Sequence, residues 1–351
     1  MHQRFCKLAP ALVGVALIAA GPAVVQAQHK TIDLPFIANE GQEFAVKITT
    51  VEKKTVQDEV TEHSSHTSTY DGQIVKASSN GYLIGWIAKS LDWEILADKR
   101  GAVAMKARLA REAGNAFKDI PTVFEANAAG TPVLIHDWPA TSKKLVAVMR
   151  DGLNNALQER LASTSSSKPK EEVEAAVKSQ VDQLLQTMIL RHDERSAVIL
   201  FEEAALIGSA QHRSWLLGVP SEDATLAPSL LSDANVPRKS KVTLRRYDTQ
   251  KDEAEVIWSN TYDPAVLRTF AWDVIQAQSK AAKLASEKLT ALKTVFDTAN
   301  FTRTDGGRVI ISIKDGWTRH IELTVRTVGE VPGQPKTEEV KSKVIEIAKK
   351  T

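Results

Sequence analysis

The stretch Phe44-Ala45-Val46-Lys47-Ile48-Thr49 decides the fold class. Its large apolar residues alternate with smaller or polar ones, one residue at a time. A period of two places one set of side chains in a core and the other set in water, as in an antiparallel strand. The stretch therefore predicts a β-sheet with one covered face.

Similar strand patterns occur on both sides of this stretch. Tyr82, Ile84 and Trp86 alternate directly after Asn80-Gly81, a dipeptide typical of hairpin turns. Further strands are expected at 122–125, 132–135, 242–247, 256–258, 308–313, 321–325 and 340–347. Other turn dipeptides are Asp71-Gly72, Asp305-Gly306 and Asp315-Gly316. Together these patterns predict antiparallel β-meanders.

Apolar residues between the strands recur at helical spacing. Leu145, Met149 and Leu153 share one face of a predicted helix, and a second helix with Val177 and Val181 follows the Ser-rich segment 164–169. Two such helices predict a helical hairpin over 143–190. Another helix begins after Asp263, and 196–207 favours a helix over a buried strand. The predicted class is α+β: antiparallel β-meanders packed with long amphipathic helices, plus the helical hairpin.

The first 27 residues have the three parts of a signal peptide. Arg4 and Lys7 precede the apolar run 8–20, and Val25 and Ala27 are small residues at the positions that precede a cleavage site. The run is too short for a membrane anchor, which needs about 20 apolar residues. We expect cleavage after Ala27 and a periplasmic or extracellular protein. The chain's one cysteine, Cys6, lies within this segment, so the mature chain is predicted to be cysteine-free.

Composition divides the remaining chain into two regions. Residues 28–215 form the predicted N-terminal β-meander and helix region, which includes the hairpin 143–190. Residues 216–240 are rich in Pro, Ser and Asp and are interpreted as a linker. Residues 241–351 form a C-terminal region of hairpin, helix and β-meander.

Charge argues against nucleic acid as a partner. The chain has 45 Lys and Arg against 43 Asp and Glu, and removal of Arg4 and Lys7 with the signal peptide leaves 43 against 43. Proteins that bind nucleic acid concentrate positive charge. No later stretch has 18 consecutive apolar residues, so no integral membrane span is expected after signal removal.

The sequence carries no recognisable catalytic motif. It has no Gly-rich phosphate loop, no Gly-x-Ser-x-Gly and no His-Glu-x-x-His. His63 and His66 could bind a metal, but three-residue spacing on a strand sends them to opposite faces, and an exposed polar edge is favoured. We predict no catalytic residue, no metal ligand and no cofactor.

Tryptophan gives the clearest indication of a binding site. The chain has seven Trp and four Tyr, and Trp rings readily line apolar pockets. Trp93, Trp138 and Trp317 have polar neighbours and are the predicted ligand-binding residues, whereas most of the others are expected in the core.

The order of elements, a signal peptide followed by a curved antiparallel sheet with covering helices, resembles that of periplasmic carriers with half-barrel folds. This is a resemblance of layout, which implies a fold rather than a function. We expect a secreted, non-enzymatic cell-envelope protein that binds an apolar small molecule or an envelope protein partner. The alternatives are a hydrolase acting on an envelope polymer and a structural assembly protein that uses the helical hairpin.

Overall fold

A computed structural model describes residues 31–99, 101–118, 121–163, 170–209, 213–227, 236–281 and 286–350. The predicted signal peptide 1–27 lies outside the described residues, so its cleavage stays a prediction. Among the helices that the structure describes, none combines the length and apolar character needed to cross a membrane.

The described residues contain thirteen strands. They are β1 (Thr31–Leu34), β2 (Glu43–Val56), β3 (Glu59–Ser78), β4 (Gly81–Asp98), β5 (Thr122–Asn127), β6 (Pro132–Ile135), β7 (Arg213–Leu216), β8 (Ser221–Ala227), β9 (Val236–Asp248), β10 (Glu253–Tyr262), β11 (Asn300–Ile311), β12 (Thr318–Glu330) and β13 (Thr337–Lys349).

The same residues contain six α-helices and two irregular helical segments. The α-helices are α1 (Ala102–Phe117), α2 (Trp138–Ser163), α3 (Lys170–Leu185), α4 (Glu202–Ser209), α5 (Pro264–Ala281) and α6 (Ser286–Asp297). A π-helical turn, Gln186–Leu190, extends α3, and a 3₁₀ segment, Ser196–Phe201, leads into α4.

Eleven of the described strands form one antiparallel sheet in the order β6-β5-β4-β3-β2-β13-β12-β11-β10-β9-β8. In each half, strands that follow one another in the chain pair antiparallel, with α1 inserted between β4 and β5 and α5 and α6 inserted between β10 and β11. The turn between β2 and β3 places Gln57 and Asp58 at positive φ, as a tight hairpin requires. The two halves join where β2 pairs with β13, with Ile48 opposite Ile345. Strands from the two ends of the described chain therefore lie at the centre of the sheet.

One face of this sheet, the inner face, carries the core. Strand pairing aligns one residue from each of six neighbouring strands in a single row, and each is at most 3% exposed. The row consists of Leu244, Val256, Val309, Ile321, Ile345 and Ile48. We call it the apolar row. It forms because β-branched and Leu side chains at every second position point to the same side of the pleat.

Different elements cover different parts of the inner face. β1 and β7 pair as a separate two-stranded sheet, and β7 contacts β9. α1 lies against β3 and β4, α4 contacts β12, and α5 contacts β9 and β11. α2 has its main contacts with α1 and α3, and Arg150 of α2 pairs with Asp182 of α3 at 2.9 Å.

The opposite, outer face carries ion pairs. Glu255 accepts two hydrogen bonds from Arg245, and Arg308 pairs with Glu322 on the neighbouring strand. Further along, Lys47 pairs with Glu346 across β2 and β13. These pairs cover the outer side of the sheet with charge and leave the apolar core on one side.

The predicted α+β class is wrong. The molecule is mostly antiparallel β-sheet with one eleven-stranded sheet, and long amphipathic helices are not packed along separate meanders. The reason is the β2–β13 pairing, which merges the two predicted meanders, while α2 packs mainly on other helices. Strand β8 and the start of β9 lie within the predicted linker 216–240, and the division of the chain into two regions stays a prediction.

Two of the predicted turns are also wrong. Asp71-Gly72 lies inside β3 and Asp305-Gly306 inside β11. A side chain at position 72 would place its Cβ 2.2 Å from the ring of Phe44, so this glycine makes room for a core residue rather than for a turn. The predicted helix at 196–207 is a 3₁₀ segment followed by α4.

Candidate functional site

A cavity of about 340 Å³ lies between the inner face of β2–β5 and the helices that cover it. Most of its wall is apolar, with large side chains from both the strands and the helices. The lining residues are Ile48, Ser68, Tyr70, Trp86, Ala88, Ser90, Leu91, Ala110, Thr122, Leu145, Met149, Ile189, Leu200, Phe201, Glu203 and Ala204.

Small side chains keep this space open. Strand pairing extends the apolar row from Ile48 to Ser68 and then to Leu91, so a small serine lies between two large side chains where the row borders the cavity. Ala88 on β4, Ala110 on α1 and Ala204 on α4 also line the cavity without filling it. Leu145 and Met149 of α2 form part of the wall that faces the sheet.

One part of the cavity wall is polar. Glu203, on α4, pairs with the ammonium of Lys343 at 2.6 Å, and Lys343 is only 2% exposed. Lys343 lies on β13 directly opposite Thr50, one inner-face position beyond Ile345. Burial raises the pKa of the nearby Tyr70 hydroxyl, so Tyr70 is neutral at physiological pH. The site thus joins an apolar chamber to a buried ion pair.

A second set of polar side chains lies between α1 and the sheet, next to Lys343. The His66 ring stacks on Trp93 with ring centroids 4.4 Å apart. Glu52 on β2 pairs with Lys106 of α1, and Lys341 lies 3.5 Å from the same carboxylate. We call Lys343, His66, Trp93, Glu52, Lys106 and Lys341 the polar cluster.

Burial and charge set the protonation of the polar cluster. Burial lowers the pKa of His66, the charge of Glu52 opposes this shift, and the charges of Lys341, Lys106 and Lys343 reinforce it, so the ring is neutral at pH 7. The pKa of Glu52 is also lowered: burial opposes this shift, and the hydrogen bond and charge of Lys106 outweigh it. Among the groups that the structure describes, none hydrogen-bonds to His66 Nδ1 or Trp93 Nε1, although both atoms are buried.

The three tryptophans predicted from the sequence lie outside the cavity wall. Trp138 Nε1 donates to the carbonyl of His192, and Trp317 Nε1 donates to the carbonyl of Ile37. Both rings are buried, and the Trp317 ring packs against Phe36 and Phe44. Trp93 belongs to the polar cluster beside the cavity. A ligand contact of any of the three stays a prediction.

Sequence reasoning does not single out the cavity-lining residues Trp86, Tyr70, Met149 and Phe201. Trp86 is recognisable as a strand residue, and Met149 as part of a helix face, but their periodicity indicates only that they are buried. The packing of the helices against the sheet forms the cavity, and no local sequence pattern predicts this packing.

The predicted exposed edge at His63 and His66 is wrong for His66. β3 is an interior strand of the sheet, and His66 is stacked beneath α1. Among the described residues, no group of three His, Cys, Asp or Glu side chains is arranged to hold a metal ion.

Comparison with known proteins gives only remote matches. No protein family and no curated protein matches the chain. Among solved structures, lipovitellin, from a study of lipid–protein interactions, matches with 8% identity and a TM-score of 0.38, over 89% of this chain and 25% of that one. An outer membrane channel from Pseudomonas putida F1 matches with 6% identity and a TM-score of 0.17, over 89% and 97% of the two chains. At these scores none of the matches indicates a shared fold or function.

Proposed function

We propose that this protein is a secreted, non-enzymatic cell-envelope protein that binds an apolar ligand in the cavity between β2–β5 and the covering helices. The observation that supports this most strongly is the cavity itself, which has about 340 Å³ of space behind a mainly apolar wall. Binding sites for small molecules are typically apolar hollows of about 300–1,000 Å³ with a few polar groups.

A hollow of this size reduces the packing of the side chains around it. Protein interiors are packed as densely as organic crystals, and voids larger than a water molecule are rare. Side chains that line a void lose dispersion contacts on that side. A ligand with an apolar chain would restore those contacts, and its binding would stabilise the folded state.

The lining residues favour binding over hydrolysis. Glu203 is the one carboxylate among the described residues of the wall, and it is paired with Lys343. Hydrolysis of a glycan by acid–base catalysis uses two carboxyl groups about 5–10 Å apart. The wall offers no such pair within the described part of the chain.

The decisive experiment measures binding of the apolar dye N-phenyl-1-naphthylamine to the delipidated mature protein by fluorescence. Ala88→Phe places a ring in the cavity, and we expect this variant to lose most of the dye binding. Ala45→Phe is the matched control, because Ala45 lies on the outer face of β2, and it should bind like the unmodified protein. Equal binding by both variants, or none by the unmodified protein, would contradict the proposal.

The cellular part of the proposal has its own test. Native mass spectrometry of protein isolated from an envelope fraction reports both the N-terminus and any co-purified ligand. We expect a chain that begins at Gln28 and carries an apolar molecule. A protein that retains Met1 would contradict secretion.

A further inference from the structure

We propose that the ligand is an amphiphile with an anionic head group, and that the polar cluster holds this head group beside the apolar cavity. Lys343 provides the charge, and Trp93 Nε1 and His66 provide hydrogen-bonding groups. This inference rests on the proposed function, because it names the class of ligand that the same site takes.

The polar groups lie next to the cavity along the strands. Lys343, Thr50, His66 and Trp93 are paired across neighbouring strands in one row of the inner face. We call it the polar row, and it is two residues along the strands from Ile345, Ile48, Ser68 and Leu91, the last three of which line the cavity. Two residues of a strand span about 6.5–7 Å. A molecule whose chain fills the cavity can therefore place its head group in the polar row.

Positive charge exceeds negative charge among these described groups. Lys343, Lys341 and Lys106 bring three positive charges, whereas Glu52 and Glu203 bring two negative charges. Lys341 and Lys106 are partly exposed, and the neutral His66 ring adds no charge at pH 7. Because Lys343 is only 2% exposed, an anionic group beside it is stabilised and a cationic one is not.

Two buried atoms of the polar cluster, His66 Nδ1 and Trp93 Nε1, lack partners among the described groups. An indole Nε1–H can only donate a hydrogen bond, so Trp93 needs an acceptor. A carboxylate or phosphate oxygen is a strong acceptor for it. Buried polar atoms without partners are uncommon in folded proteins, and the head group of a bound ligand would supply the missing acceptor.

The test compares dodecanoate and dodecyl phosphate with dodecan-1-ol, which has the same chain and no charge, by calorimetry on the delipidated mature protein. We expect at least one anion to bind roughly tenfold more tightly than the alcohol, as a charged hydrogen bond provides. Lys343→Met should weaken the binding of the anion by a similar factor and leave the affinity for the alcohol unchanged. Glu203→Gln should strengthen the binding of the anion, because the carboxylate that competes for Lys343 is removed.

Matched controls come from the outer face, where Lys47 and Glu346 form an exposed ion pair. Lys47→Met and Glu346→Gln should leave all three probes unchanged. Trp93→Phe keeps an aromatic ring and removes the N–H, so it tests the head-group site even if Lys343→Met does not fold. Each variant's fold is checked by circular dichroism.

The outcomes separate this inference from the proposed function. Failure of all three probes and of the dye contradicts the proposed function itself. Binding of alcohol and anions with equal affinity, unchanged by Lys343→Met and Trp93→Phe, contradicts only the head-group inference. A preference for the anions that disappears in either variant supports it.

Discussion

The apolar row crosses two regions of the same inner face that are covered in different ways. Over β9 the cover includes the small sheet of β1 and β7, and Leu244, Val256 and Val309 are almost fully buried. Over β2–β4 the cover is helical, and Ile48, Ser68 and Leu91 border an open cavity. One continuous strand pattern can therefore form either a solid core or a binding chamber. The covering elements and the size of the facing side chains decide which.

The largest expected effect comes from truncating the same residue type in the two regions. Ile321→Ala should lower the free energy of unfolding by about 3–4 kcal/mol, because it opens a cavity in a packed region. Ile48→Ala, in the same row but beside the existing cavity, should cost about 1–2 kcal/mol less, because fewer contacts are lost. Urea unfolding of both delipidated variants measures the difference, and equal losses would show that the chamber is packed.

The ion pair between Glu203 and Lys343, a residue of the polar row, should give the next largest effect. Glu203→Gln leaves a nearly buried ammonium without its carboxylate and should cost about 2–3 kcal/mol. Lys343→Met should cost less, because Glu203 is 28% exposed and can be hydrated. Denaturant unfolding of the two variants checks this order. The reverse order would mean that Glu203, rather than Lys343, is the buried charge that needs compensation.

How far the sequence predicts the fold depends on the range of the interaction. Alternation within β2, β5 and β12 identifies these strands, because the side-chain period of two is a local property. The turn at Asp315-Gly316 is confirmed, with Gly316 in the left-handed region, and that at Asn80-Gly81 is found one residue earlier. These successes are all short-range.

The errors are long-range. Gly72 has the sequence signature of a turn, yet it lies in a strand beneath the ring of Phe44, about thirty residues away in the chain. The pairing of β2 with β13 joins residues almost three hundred positions apart, and no local pattern specifies it. Trp138 and Trp317 show the same limit of range: backbone carbonyls of distant segments accept from their N–H groups, which no local pattern reports, and their ligand contact stays a prediction.

A pH titration probes the polar row, because this row contains the half-buried imidazole of His66. The pKa of His66 is lowered in the folded protein by burial, so the unfolded chain binds a proton first, near pH 6.5. The free energy of unfolding should therefore fall as the pH decreases from about 7 to about 5. Glu52, whose pKa is also lowered, should contribute a similar loss only below about pH 4.5.

His66→Phe tests the source of that slope. The variant keeps a ring that can stack on Trp93 and removes the titrating group. Stability measured by urea unfolding at several pH values between 7 and 5 should depend less on pH in the variant. An unchanged dependence of the free energy of unfolding on pH would show that folding does not lower the pKa of His66.

The smallest effect is expected on the outer face, which sets the baseline for the inner one. Hydrogen bonds from Arg308 and His320 lower the pKa of Glu322 to about 2. A carboxyl with a lowered pKa contributes stability that is present above its unfolded value, about 4.5, and is lost as the pH falls towards 2. Because the group is exposed, Glu322→Gln should change stability at pH 7 only slightly, and added salt should reduce the difference. A larger loss in the free energy of unfolding that does not depend on salt would show that this pair behaves as a buried pair. The two faces of the sheet would then differ less than proposed.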